Sequence, residues 1–210
     1  MNIILVYIIL AVLNFVPVPL PVRMIFPLAW LTLCAMYKKQ WVLTAALFFS
    51  FLGDVMGWRH ELIPQIGFFA LAQTLYIILF CFVAPPRPSW HKTVQLILLA
   101  LVMSVYGAAM TWIFPHVENP VIASGIAIYA VLLLGMCYAA LRHKNIWLIM
   151  GAILFVISDF TLGFHLFVHP LHHSVLRIMI PYYAGQLFLF WGGQKLLRNT
   201  RQGRDEAVCR

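Results

Sequence analysis

Charge is scarce in this chain: of 210 residues only six are Asp or Glu and fourteen Lys or Arg, against 63% hydrophobic. So little polar surface excludes a water-soluble globular domain and predicts a polytopic membrane protein. Cysteine is sparse as well. Cys34, Cys81 and Cys137 fall near helix ends and Cys209 in the tail, with no CxxC pair, which excludes a disulfide framework and a cysteine zinc site. No GxSxG elbow, Cys–His pair or HExxH helix occurs, so an acyl-enzyme mechanism is not expected and no metal or other cofactor is called for. The basic residues are scattered without a reading motif, which argues against nucleic acid as a partner. The first segment, MNIILVYIILAVLNF, lacks a basic n-region and a small-x-small site, and reads as a retained helix.

What is present is a series of apolar runs of bilayer-crossing length separated by short polar breaks. They predict an all-α integral membrane bundle of eight transmembrane helices over 3–20, 22–37, 41–57, 63–83, 93–114, 120–141, 146–166 and 175–197. Residues 1–197 form one transmembrane domain on this reading, and 198–210 a basic, lipid-facing cytoplasmic tail. Lys and Arg separate cleanly between alternate loops. Eleven fall on one side (Lys38, Lys39, Arg87, Lys92, Arg142, Lys144, Lys195, Arg198, Arg201, Arg204, Arg210) and three on the other (Arg23, Arg59, Arg177). The positive-inside rule then places both termini in the cytoplasm.

Only two acids lie inside long apolar stretches: Asp54 in ALFFSFLGDVMGW and Asp159 in AILFVISDFTLGF. A mid-helix carboxylate costs about 2.5–3.5 kcal/mol on insertion scales, a large share of a stability of ~5–15 kcal/mol. Two at matched depth point to a lipid-embedded active or ion-binding site; the alternative is that each only hydrogen-bonds a neighbouring helix. Each Asp follows a small residue (Gly53, Ser158), and the next helix carries a central glutamine (Gln73, Gln186). This echo suggests two parallel four-helix repeats with both Asp–Gln sets facing the boundary between halves. Helical spacing adds Ser50 and Gly57 to the Asp54 face, and Phe155, Leu162 and Gly163 to the Asp159 face. It adds Phe69 and Tyr76 beside Gln73, and Tyr182, Tyr183 and Phe190 beside Gln186. Tyr129 lies too deep for an interfacial residue. The candidate catalytic pair is thus Asp54 and Asp159, with Ser50, Gln73, Tyr76, Tyr129, Ser158, Tyr182, Tyr183 and Gln186 as candidate substrate contacts. His165, His169, His172 and His173 resemble a metal cluster, but Pro170 interrupts their shared face; outer-loop or headgroup contact is the expectation.

The strings FSFLGDVMG, GFFALAQTLYIILF, GAILFVISD and YYAGQLFLFWG, in this order, resemble the bacterial YhhN family, which includes the lysoplasmalogenases of animal membranes. The resemblance runs over nearly the whole chain. It implies an eight-helix, multi-pass enzyme of the bacterial inner membrane that cleaves the vinyl-ether bond of lysoplasmalogens to a fatty aldehyde and a glycerophospho-ethanolamine or -choline. Its partners would be a lysophospholipid and the bilayer. The family's motif acids map onto Asp54 and Asp159, with Gln186, Tyr183 and Tyr129 in support. The chain departs from the family at Phe26-Pro27, where Lys-Pro is usual, and at Gln73, where His is frequent.

Two acids suit that chemistry. Protonation of the vinyl β-carbon gives an oxocarbenium ion, which water captures as a hemiacetal that collapses to aldehyde and alcohol. One carboxyl would donate the proton; the other, ionised, would stabilise the cation and position water, as in glycoside hydrolysis. The competing function is a proton-coupled transporter of lipids or small molecules with the Asp pair as relay.

Overall fold

Apolar runs without interior prolines fold locally into helices, because a backbone in lipid must satisfy its own N–H and C=O groups. The computed structural model describes residues 3–16, 23–86 and 90–208, and among them no strand occurs. The helices are α1 (Ile3–Leu13), α2 (Phe26–Tyr37), α3 (Trp41–Trp58), α4 (Leu62–Ile78), α5 (Lys92–Trp112), α6 (Pro120–Leu141), α7 (Ile146–Gly163) and α8 (Ser174–Val208). Local chemistry sets the starts. Asn119 accepts from the backbone N–H groups of Val121 and Ile122 ahead of Pro120, and Asn145 caps α7 through Trp147 N. α4 and α7 both finish in a π-turn, Leu79–Val83 and Phe164–Val168.

Two boundaries differ from expectation. α1 ends at Leu13 rather than near residue 20, in a turn through Asn14 and Phe15. Pro17 follows, and the residue before a proline disfavours the α region; the proline group itself lies outside the described residues. α8 runs to Val208, beyond the expected 197, because KLLRNTRQ contains good helix formers and no proline. Among the described residues, five helices are long and apolar enough to cross a membrane: Trp41–Trp58, Leu62–Val83, Lys92–His116, Pro120–Leu141 and Ile146–Val168. α1 and α2, with 11 and 12 residues, are shorter.

The largest helix–helix contacts are α7 with α8 and α3 with α4, and α4 packing on α6 is echoed by α8 packing on α2. Small residues allow the closest of these. A Cβ on Gly151 would sit 2.7 Å from Leu189 N, and one on Gly192 would sit 2.8 Å from Leu148 N, so α7 and α8 touch backbone to backbone. α5 contributes one buried side chain, Val102, and leaves Leu96, Ile97, Leu101 and Met103 exposed. An apolar surface of that kind fits lipid rather than water. At one end of the bundle Lys38 Nζ donates to Gln194 Oε1 (2.6 Å), Arg201 to the Lys39 carbonyl (3.1 Å), and Lys144 lies over the Trp90 ring. The α3–α4 turn and the start of α8 meet at the other end, around a cavity that carries carboxylate, amide and imidazole side chains among apolar ones.

Candidate active site between the two halves

α3, α4, α7 and α8 enclose a cavity of about 550 Å³ lined by both Asp54 and Asp159, with Gln65, Ser158, His60 and His165. Glycine makes part of this room. Gly57 leaves space for the Gln65 amide, which a Cβ would approach to 2.8 Å, and Gly53 admits the Phe69 ring. Phe69 meets Phe155 and Tyr182 edge-on, so an aromatic wall stands beside the acids.

Each carboxylate is held by a tyrosine. Tyr182 donates to Asp54 Oδ1 (2.7 Å), and Tyr129 donates to Asp159 Oδ2. Asp54 is 4% exposed, and its second oxygen, Oδ2, is buried with no partner. A buried polar atom left unpaired costs ~1–3 kcal/mol, and the Asp54 side chain that carries it borders the cavity. Behind Tyr182 the chain continues: Gln186 Nε2 donates to the Tyr182 hydroxyl (3.5 Å), and Tyr76 donates to Gln186 Oε1 (3.2 Å). Gln73 lies beside the Tyr129 hydroxyl in the corresponding place, wholly buried and without a well-formed hydrogen bond. Each half therefore supplies a glutamine that backs the acid of the other.

Not every expected contact reaches the cavity. Ser50 Oγ donates to the Ala46 carbonyl in its own helix, and Ser50, Gln73, Tyr76 and Gln186 stand behind the wall. Ser158 borders the cavity, but its hydroxyl donates to the Ile178 carbonyl (2.9 Å), in the turn of α8 that Pro181 disturbs. Tyr183 lies outside the lining. It donates to the Met24 carbonyl (3.0 Å), while Tyr7 donates to the Tyr183 carbonyl (2.8 Å), fastening α8 to the first helices.

A second cavity, about 110 Å³ and almost entirely apolar, lies between α4, α5, α6 and α7. Tyr129, Val105, Met110, Ile126 and Phe160 line it, and Asp159, Gln65 and Phe69 belong to both cavities. The reading of spacing missed Gln65 and the apolar groove. Gln65 falls on the Phe69–Gln73–Tyr76 stripe and was within reach of that rule; the groove depends on how α5 stands off from α4, which no local pattern reports. Of the His cluster, His172 and His173 meet with ring centroids 4.2 Å apart and His165 Nδ1 accepts the Leu171 N–H (2.8 Å), but among the described residues no three potential ligands gather for a metal.

Comparison with known proteins gives a consistent picture. The model of the YhhN family matches residues 13–193. Lysoplasmalogenase TMEM86B of Homo sapiens is 32% identical over 151 residues, 70% of this chain and 61% of the human protein. The Rattus norvegicus protein of that name is 30% identical over 150 residues, 71% of this chain and 60% of its own length. The lysoplasmalogenase of Mycobacterium tuberculosis is 24% identical over 178 residues, 80% of this chain and 67% of its own. The chain thus spans about three fifths of the length of the mammalian relatives. No solved structure matches it.

Proposed function

The chain belongs to the YhhN family, and from that premise we propose that it is a membrane hydrolase cleaving the vinyl-ether bond of a lysoplasmalogen to a fatty aldehyde and a glycerophospho-base. The observation that carries this reading is the meeting, at Asp159, of a cavity that bears polar side chains and one that is almost wholly apolar. A single-chain amphiphile needs one compartment of each kind, and its vinyl ether lies where headgroup and chain join. The curated relatives, named lysoplasmalogenases, support the same substrate class.

The division of the cavities assigns the acids. The β-carbon lies one bond further into the chain than the carbon bonded to oxygen, so Asp159, bordering the apolar groove, is the proton donor. Asp54, bordering only the polar side, stabilises the oxocarbenium ion and takes a proton from the attacking water. Water then adds to the cationic carbon, and the hemiacetal breaks to aldehyde and alcohol. Tyr129 and Tyr182 hold the two carboxylates in place.

The polar cavity also suits a phosphate-bearing headgroup. His165 accepts a backbone N–H at Nδ1, so its neutral ring carries the proton on Nε2, a donor available at the cavity mouth. His60 borders the same mouth. Each histidine follows an Asp by six residues and lies two beyond the end of its α-helix, so the four helical residues between put it roughly 6 Å or more along the axis. The five bonds from ether oxygen to phosphorus span roughly 6–7 Å at about 1.5 Å per bond. Eight spans with both termini on the cytoplasmic side of a bacterial inner membrane, and two parallel four-helix repeats, complete the proposal. The split of basic residues and the echoed pairings of α3–α4 and α7–α8 support it.

The test is incubation of purified protein with 1-alkenyl, 1-alkyl and 1-acyl lysophospholipids followed by product mass analysis. Aldehyde from the alkenyl lipid alone is expected. Fatty acid from the acyl lipid, or movement of intact lipid across sealed vesicles without cleavage, would overturn the reading.

A further inference from the structure

At the end of the bundle away from the histidines, the face of α8 opposite the α2–α3 turn carries a basic pocket of about 320 Å³. Lys38, Lys195, Arg198 and Arg201 line it, and among the described residues no carboxylate does. Trp191, Gln194, Lys195, Arg198, Arg201 and Gln202 recur at the three- and four-residue spacing that puts side chains on one helical face. Lys38 donates to Gln194 Oε1 (2.6 Å), which fixes that amide while its Nε2 is buried with no partner. Gln40, 9% exposed, has an unpaired Oε1 on the pocket's other wall. It also begins α3 without a capping side-chain hydrogen bond, so the positive end of an 18-residue helix faces the same space. Four cations, an unused amide donor and an unused amide acceptor gather here, and of the cations Lys38 and Arg201 also fasten α8 to the α2–α3 turn.

We propose that this pocket binds the phosphate ester of an anionic membrane-lipid headgroup, the phosphate oxygens taking the cations and Gln194 Nε2, and a headgroup hydroxyl donating to Gln40 Oε1. The surroundings favour a lipid over a soluble phosphate ester. Tyr37 and Trp41 flank the α2–α3 turn and are exposed, and exposed Trp191 stacks on Trp147 with ring centroids 5.8 Å apart. Aromatic side chains of this kind mark the headgroup level of a bilayer. The site is independent of the proposed hydrolysis.

Native mass spectrometry of the detergent-purified chain, titrated with phosphatidylglycerol or phosphatidylcholine, tests it. Phosphatidylglycerol is expected to be retained about 10-fold more tightly. Neutralising two pocket cations in K195Q/R198Q is expected to cost about 25-fold of that affinity, roughly 5-fold for each charge held near an anionic headgroup. The equally discharged variant K92Q/K144Q, altered at the first residue of α5 and in the α6–α7 turn, outside the pocket, is expected to bind as the native chain does. Size-exclusion elution at the native volume shows that the variants fold. Equal retention of the two lipids, or equal loss in both double variants, would overturn the proposal. Displacement of phosphatidylglycerol by submillimolar glycerol 3-phosphate would overturn the assignment to a lipid.

Discussion

Replacing Tyr129 by Phe removes one hydroxyl and leaves the ring in the groove wall, so it isolates the hydrogen bond to Asp159. In the proposed reaction Asp159 gives its proton to the vinyl carbon and becomes a carboxylate facing an apolar groove, with Tyr129 as the donor that receives the new charge. A hydrogen bond to a charged acceptor is worth about 1.5–3 kcal/mol. At about 1.4 kcal/mol per tenfold in rate, Y129F is expected to lower kcat roughly 10- to 150-fold, with KM little changed. D159N, which removes the acid itself, is expected to lower kcat ~10²–10⁴-fold. Tyr129 acts through Asp159, so Y129F/D159N should be no slower than D159N alone. Aldehyde release at saturating alkenyl lipid measures all three, with size-exclusion elution as the control for folding. Native turnover in Y129F would refute the reasoning. Losses that multiply in the double variant would show that Tyr129 acts by some route other than Asp159.

H165N keeps an acceptor near Nδ1 for Leu171 and removes the donor at the cavity mouth; KM for a phosphate-bearing alkenyl lipid should rise ~10-fold, H165Q should stay near native, and alkenyl glycerol should be indifferent to both. An equal rise for alkenyl glycerol would remove phosphate recognition as the cause. G151A pushes a methyl to 2.7 Å from Leu189 N and should cost ~1–3 kcal/mol, seen as a lower thermal midpoint in detergent. G107A, with nothing within 4 Å, should be neutral or slightly stabilising, and similar midpoints for the two variants would contradict the close packing of α7 on α8. Burial pushes the His143 imidazole below its usual range, against the opposing pull of the Phe80 carbonyl. The folded state then binds the proton less readily than the unfolded one, so His143 leaves stability intact above about pH 6.5 and lowers it as the pH falls further. Thermal midpoints between pH 8 and 5 should decline less steeply in H143Q, and an unchanged slope would remove His143 as the cause.

Much of the helical layout could be read from the chain because a bilayer reduces the problem to the length of apolar runs and the polar breaks between them. α6 spans the expected residues, and its cap and proline are local signals. The end of α8 was not legible by the same means: hydropathy stops reporting where Lys195 begins the basic stretch, while helix propensity continues to residue 208. Asp54 and Asp159 stood out because charge in an apolar run is costly, and both border one cavity. The partners of these acids were harder to sort. Spacing put Tyr182 and Tyr183 equally near Gln186, but successive residues on a helix point about 100° apart, so one reaches Asp54 and the other the Met24 carbonyl. Ser50 failed to reach the cavity for a related reason: a serine within a helix can spend its hydroxyl on the carbonyl one turn back.

The sequence echo gives Asp54 and Asp159 matched settings, yet the proposed reaction needs them to differ. The difference comes from the helices that open each half. α1 and α2 lie close against the core: Tyr7 donates to the Tyr183 carbonyl, Trp30 Nε1 to the Ile3 carbonyl, and Leu28 and Leu31 are fully buried. α5, in the corresponding position, buries only Val102 and lines an apolar groove with α4, α6 and α7. Tight packing on one side leaves Asp54 open only to the polar cavity; loose packing on the other gives Asp159 a second, apolar neighbour space. Filling that space should therefore make the two acids alike in the wrong sense, closing Asp159 to the chain. A109F, at a groove residue with no polar contact, is expected to abolish cleavage of long-chain alkenyl lipids while sparing short-chain ones, because only the former must enter the groove. Equal cleavage of both chain lengths by A109F would place the alkyl chain elsewhere and remove the basis for assigning Asp159 as the proton donor.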